Sequence, residues 1–374
     1  MALESKRATS FLRSSQGWPY LLVPFIPIAI VLDLASAGAV AIFVTSALGV
    51  IPTAALMGRA TEELATRSGP GIGGLLNVTF GNAPELIIAL FALGHGLHEV
   101  VKASLVGSIL GNILLVLGAA MLVGGWRRDR QFFDRTAASA QSGMLLLAAT
   151  ALIMPAIFEL VEGKGLPRPG AEIVNYSGDI MTLSAIVAGV LILSYVAALY
   201  FSLKTHRALF NPHHEEEEDE EAWSVKRSVV MLAIAGAAVA VMSEILVGSL
   251  SDAAHKAGLS EFFIGVIVVA IIGNAAEHWV AVLVAAKDKM DLAVNIAIGS
   301  SAQIALFVVP VLVLASFVIG PHPMALVLNG FELSAIVIAI LIANHVTNEG
   351  ESHWYEGLQL LCVYAVLGVT FYFA

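Results

Sequence analysis

Long apolar runs alternate with short polar breaks along most of this 374-residue chain. A helix that crosses the hydrocarbon core of a bilayer needs roughly 20 apolar residues. Eleven runs approach that length, near 18–34, 37–57, 72–94, 100–124, 138–160, 180–203, 228–250, 261–286, 291–318, 322–345 and 355–373. The breaks are rich in Gly, Pro and charge, as in Arg67-Ser68-Gly69-Pro70-Gly71. The pattern predicts an all-α polytopic membrane protein with about eleven spans. A second run follows the first almost at once, so the first is read as a retained helix rather than a cleaved signal.

Composition agrees: 58% of residues are hydrophobic and 13% charged. Too few polar groups exist to cover a water-exposed surface, whereas lipid solvates apolar surface directly. The net charge of −10 comes largely from the run Glu215–Glu221. No basic patch interleaved with aromatics supports nucleic-acid binding. The single cysteine, Cys362, lies in an apolar run and reads as a packing residue; no disulfide framework or Cys-based metal site is available. The expected surroundings are a lipid bilayer, and a homo-oligomer is left open.

Lys and Arg are distributed unevenly between the two sides. With the N-terminus in the cytoplasm, the inside segments hold fifteen of the nineteen basic residues; Lys102, Lys164, Arg168 and Lys256 fall outside. This bias predicts an N-terminus inside and a C-terminus outside.

Two segments match at an offset of 192 residues: Gly81-Asn82-Ala83-Pro84-Glu85 and Gly273-Asn274-Ala275-Ala276-Glu277. Gly107-Ser108 and Gly299-Ser300 recur at the same offset. The chain then divides into an N-terminal tail and first span (1–36), a first repeat (37–203), an acidic linker (204–227) and a second repeat (228–374). Five spans per repeat is an odd number, so the second copy is inverted, an architecture in which ions bind near the midplane between the copies.

Glu85 and Glu277 fall within spans, where an unpaired carboxylate costs several kcal/mol and needs a partner, an ion or water. Their symmetric placement predicts one shared site. Gly81 and Gly273 permit close backbone approach, and Pro84 is expected to loosen its helix and free carbonyls there. Asn82 and Asn274 add amide oxygens; Ser108, Asn112, Ser300, Ser301 and Gln303 add more on the following span of each half. All are hard oxygen donors, which suits Ca²⁺ with its flexible shell of about 6–8 oxygens. Two carboxylates are neutralised by one divalent ion or by two protons, and that exclusive choice is the physical basis of antiport. The plainer reading is that such glutamates merely bond neighbouring helices and that small residues merely allow close packing.

At these residues the chain resembles the cation/Ca²⁺ antiporter superfamily, in particular its cation/proton exchanger branch. That family carries G-N-A-x-E twice, followed by G-S-x-x-x-N and then G-S-S-x-Q, here Gly107, Ser108, Asn112 and Gly299, Ser300, Ser301, Gln303. The stretch Glu349–Gly357 resembles the branch's D-G-x-S-x-W-x-E-G segment, with Glu349 in place of Asp. The resemblance implies one extra N-terminal helix before two inverted five-helix repeats. It implies that Glu85 and Glu277 carry Ca²⁺ and H⁺ alternately, and that the acidic stretch joins the halves in the cytoplasm. The Na⁺/Ca²⁺ branch commonly has hydroxyl residues where Asn82 and Asn274 stand, which favours protons here. No cofactor beyond transported Ca²⁺ and H⁺ is expected. A prokaryotic host implies the cytoplasmic membrane and a eukaryotic one a vacuole-like membrane. The alternatives are Na⁺/Ca²⁺ or K⁺(Na⁺)/H⁺ exchange, or a cation channel; no nucleophile–base pattern supports an enzyme.

Four further features remain open on sequence alone. His278 follows Glu277 and is a proton-relay candidate or a helix-bonded histidine. Glu62, Glu63, Glu244 and Asp252 read as interfacial groups or vestibule acids. Glu332 is expected deep in the tenth span, to gate or pair. His213-His214 and the acids after them read as a solvated linker or a cation sensor.

Overall fold

The computed structural model describes residues 17–68, 73, 75–76, 79–170, 176–205 and 223–374. The N-terminal tail, the acidic run and part of the expected third span lie outside them. Among the described residues, nine helices are long and apolar enough to cross a bilayer: α2 (Ala39–Arg67), α4 (His98–Gly125), α5 (Arg135–Val161), α6 (Gly178–Thr205), α7 (Val225–Ala257), α8 (Glu261–Ala286), α9 (Met290–Ala315), α10 (Gly330–Glu349) and α11 (Trp354–Phe373). Two shorter apolar helices, α1 (Trp18–Leu34) and α3 (Ala83–Gly94), complete the eleven.

Helix starts follow local sequence. The Asp134 side chain accepts the Ala137 amide and caps α5; Ser224 caps α7 by accepting from Arg227. Asn329 accepts the Phe331 and Glu332 amides while Glu332 accepts the Asn329 amide, a reciprocal cap on α10. Gly258, in the left-handed region at φ 68°, ends α7.

The helices pair with a pseudo-twofold relation at the offset of 192. α2 lies along α7, and α5 along α10, each helix with its own counterpart. α3 packs on α7 as α2 packs on α8; α4 packs on α11 as α9 packs on α6. α4 and α9 are the innermost spans, 78% and 72% buried, whereas α6 and α11 are 28% and 17% buried and present apolar side chains outward. The fold is an all-α membrane bundle of one N-terminal helix plus two inverted five-helix repeats.

Contacts between loops agree with the parity of the spans. Strands β1 (Gln131–Phe132) and β2 (Glu351–Ser352), in the α4–α5 and α10–α11 connections, pair antiparallel, and Arg130 bridges Glu351 at 3.2 Å. Arg128 reaches Asp288 in the α8–α9 connection at 3.2 Å, and the Trp223 amide donates to Glu63 at 2.8 Å. At the opposite end, the Gly170 amide donates to Glu99 at 2.6 Å.

Three expectations are corrected. Lys102 is no loop charge: it sits inside α4, 6% exposed, and its Nζ donates to the Val327 carbonyl at 3.1 Å. The tenth span does not begin at 322: Pro321 and Pro323 obstruct a helix, and residues 323–329 form no regular element, with Met324–Leu328 buried. Leu326 donates its amide to Ser184 and Met324 to Ser316, which replaces the helical bonds lost there. Glu332 is therefore in the first turn of α10 as its cap rather than at mid-span.

The α4–α11 contact is backbone-close. A Cβ on Gly357 would lie 2.5 Å from the Gly118 carbonyl oxygen and 2.5 Å from the Leu122 nitrogen, whereas one on Gly143 in α5 would meet nothing. Gly357→Ala is expected to cost about 1–3 kcal/mol through overpacking. Gly143→Ala should be neutral or gain up to ~1 kcal/mol from helix propensity. Unfolding of the two variants in detergent, side by side, checks the pair.

Candidate functional site

The two matched motifs meet at the middle of the bundle, although their backbones differ. In the first half the chain turns at Gly81–Asn82, and α3 begins at Ala83 with Pro84 in its first turn. A missing N–H costs nothing there, because no intrahelical acceptor is available to it. In the second half α8 runs unbroken through Gly273–Glu277. The expected helix break thus exists in one copy, at Gly81–Asn82, and is absent from the other.

Glu85 leaves the first turn of α3 and packs on α8 where a side chain is missing. A Cβ on Gly273 would meet Glu85 Oε1 at 3.4 Å. Glu277 is one helical turn farther along α8, on the same face as Gly273. Glu85 and Glu277 thus approach one face of α8 on adjacent turns. Glu85 is buried at 9% exposure; Glu277 is half-buried, as are Ser300 and Gln303 beside it.

Each motif asparagine is fixed by the opposite half. Asn82 Nδ2 donates to Gln303 Oε1 at 2.7 Å. Asn274 Nδ2 donates to Ser108 Oγ at 3.0 Å and to the Ala270 carbonyl at 3.0 Å. With both amide nitrogens bound, both amide oxygens are left over. Asn82 Oδ1, Asn274 Oδ1 and Glu85 Oε2 are all buried without a hydrogen-bond donor among the described residues. Buried acceptors are normally satisfied, so three orphans in one cluster need a separate explanation. A cation would satisfy all three.

The remaining expected donors divide by what already holds them. Ser300 Oγ donates to Glu277 Oε2 at 3.2 Å. Ser301 is fully buried and donates to the Ala297 carbonyl of its own helix. Asn112 Oδ1 faces His278 Nε2 at 3.1 Å, while its Nδ2 has no partner among the described residues. Two π-helical stretches occur at nearly the same offset, Gly111–Val116 in α4, which contains Asn112, and Ile304–Val308 in α9, which follows Ser300, Ser301 and Gln303. A third, Ile264–Val269, precedes Gly273 in α8. Such widened turns recur at functional sites, and no spacing in the sequence signals them. Among the described residues, no group of three His, Cys, Asp or Glu could hold a metal. A cation here would meet two carboxylates and otherwise neutral oxygens.

The other acids are elsewhere. Glu63 is 3.8 Å from Arg59 and accepts from the Trp223 amide; the Arg59 and Arg227 guanidiniums both lie over the Trp223 ring, 4.9 and 4.6 Å from its centroid. Glu244 is 3.7 Å from His95. One contact was not legible in the sequence: Gln141 of α5 donates to Asn295 Oδ1 on α9, one turn before Gly299. A lone amide in an apolar run was its only signal.

Comparison with known proteins places this geometry in context. The profile described as sodium/calcium exchanger protein matches residues 38–204 and 227–373. The chain is 44% identical over 356 residues to the Ca(2+)/H(+) antiporter ChaA of Bacillus subtilis (strain 168), covering 94% of this chain and 97% of that one. It is 36% identical over 355 residues to the vacuolar calcium ion transporter of Schizosaccharomyces pombe (strain 972 / ATCC 24843), covering 94% and 84%. The solved structure of native YfkE superposes with a TM-score of 0.80 at 40% identity, over 95% of this chain and 100% of that one.

If the cluster holds a divalent cation, bound Ca²⁺ stabilises the folded protein by mass action. Millimolar Ca²⁺ is expected to raise the unfolding temperature of the purified protein. Gly273→Val, which fills the space beside Glu85, should fold and lose most of that shift.

Proposed function

The chain belongs to the sodium/calcium exchanger protein family, and from that premise we propose that it is a secondary active antiporter exchanging Ca²⁺ for H⁺ at one site between its halves. The observation that carries this reading is the trio of donor-less buried oxygens, Glu85 Oε2, Asn82 Oδ1 and Asn274 Oδ1, beside a second carboxylate on Glu277. Hard oxygens with two negative charges suit Ca²⁺. The names of the relatives point the same way.

In this reading Glu85, Glu277, Asn82, Asn274 and Ser300 face the ion. Gln303 and Ser108 turn the two asparagine amides so that oxygen rather than nitrogen points inward. His278 holds Asn112 and remains the candidate for passing protons to the adjacent Glu277. Gly81 turns the chain into α3, and Gly273 leaves room for the Glu85 carboxylate. Ca²⁺ binding displaces the protons from both carboxylates, and reprotonation releases Ca²⁺. Either load neutralises the site, so either can cross, whereas the doubly anionic site is held back by its desolvation cost.

Alternating access follows from the inverted halves: an interface built twice in opposite senses can open to either face in turn. The division into 1–36, 37–203, 204–227 and 228–374 is supported by the family match, which falls in two stretches separated by the acidic linker. The basic residues favour a cytoplasmic N-terminus and an external C-terminus, with Ca²⁺ exported from the cytoplasm. The bacterial and yeast relatives fit a cytoplasmic or a vacuole-like membrane, according to the host.

Vesicles containing the purified protein, with an imposed pH gradient and no Na⁺, are expected to take up Ca²⁺. Glu85→Gln and Glu277→Gln should each reduce uptake to background while leaving folded protein. Uptake that requires Na⁺ would indicate Na⁺/Ca²⁺ exchange, and Ca²⁺ flux without proton movement a channel. Wild-type uptake by either glutamine variant would refute the shared site.

A further inference from the structure

Gln141 belongs to neither repeated motif. It lies in the second turn of α5 on a buried stripe with Ala138, Leu145, Ala148 and Leu152, and is itself 8% exposed. A buried amide is costly without a partner, and this one has its partner on the helix that carries half the site. Its Nε2 donates to Asn295 Oδ1 on α9. The amide also packs on Gly299: a Cβ there would sit 3.4 Å from Gln141 Nε2 and 3.4 Å from Asn295 Oδ1. The next residue is Ser300, whose hydroxyl donates to Glu277 at 3.2 Å.

The first half holds its site helix by other means. The counterparts of Gln141, Asn295 and Gly299 at the offset of 192 are Leu333, Ala103 and Gly107, so no amide tether exists there. Gly107 instead presses on backbone: a Cβ on it would fall on the Val266 carbonyl of α8. At Gly107, α4 is therefore located by contact of main chain with main chain, whereas at Gly299 α9 rests on a side chain. A contact between backbones tolerates little rotation. A helix face resting on one side chain is set by the bond that side chain makes, and the Ser300–Glu277 bond weakens steeply as its angle changes.

We propose that Gln141, through its bond to Asn295, is a positioning residue of the cation site, setting the rotation of α9 that aims the Ser300 hydroxyl at Glu277. The inference rests on the Ca²⁺/H⁺ exchange reading at Glu277. Asn295 is exposed, so its substitution tests the tether without disturbing the core even if Gln141 variants fold poorly.

The experiment compares Ca²⁺ uptake driven by a pH gradient in vesicles of wild type, Gln141→Leu, Asn295→Ala, the double variant and Asn295→Asp. Loss of the tether is expected to raise the Ca²⁺ concentration for half-maximal uptake by about three- to tenfold, the range set by one hydrogen bond, with little change in maximal rate. The double variant should be no worse than the worse single one, because both remove the same bond. Asn295→Asp keeps an acceptor oxygen and should stay near wild type. Unchanged half-saturation in Gln141→Leu and Asn295→Ala overturns the proposal, as do additive effects or a lowered unfolding temperature alone. Absence of pH-driven uptake by the wild type overturns the exchange reading and this inference with it.

Discussion

Two carboxylates facing each other inside a bilayer cannot both stay charged without a counter-charge, because hydrocarbon and protein screen them far less than water does. Everything around Glu85 and Glu277 can be read as a response to that constraint. Gly273 gives up its side chain to admit one of them, Ser300 donates to the other, and the two asparagines keep their amide oxygens buried and unbonded among the described residues. No Lys or Arg within the described residues makes an ion pair with either glutamate. In the proposed reading the compensating charge comes from outside the chain, as a metal cation or as protons.

The inverted repeat makes such a site possible with short sequence motifs. Each half supplies one carboxylate and one amide, and each amide is oriented by the other half: Asn82 by Gln303, and Asn274 by Ser108. In the proposed reading the site is assembled only when the halves are packed together. The symmetry is incomplete, and the departures are chemical. α3 starts at a turn while α8 runs through; Glu85 is buried while Glu277 is half-buried; His278 and Gln141 have the apolar counterparts Leu86 and Leu333. His278 comes from the second half and Gln141 from the first, and both act on residues carried by or contacting α8 and α9: His278 follows Glu277, and Gln141 bonds Asn295.

Much of this was legible before any coordinates. Apolar runs of bilayer length count helices, and the offset of 192 between two G-N-A-x-E segments locates the repeat and its glutamates. What escaped depends on three-dimensional pairing. Glu332 looks like a mid-span acid until Asn329 and the preceding prolines are seen to delay α10, which makes it a cap. Lys102 reads as a loop charge because its acceptor, the Val327 carbonyl, is 225 residues away. Gln141 is silent for the same reason, with Asn295 154 residues distant. The π-helical turns leave no pattern, since one extra residue in a helix changes no composition. The acidic run Glu215–Glu221 lies outside the described residues.

The central claim is that one Ca²⁺ and the protons of Glu85 and Glu277 compete for the same oxygens. Proton release on Ca²⁺ binding tests it most directly, measured with purified protein in weakly buffered detergent solution and a pH indicator. Metal binding at protonated ligands expels protons, so about two H⁺ should leave per Ca²⁺ bound at a pH where both glutamates are protonated. Saturable Ca²⁺ binding that releases no protons would contradict the account.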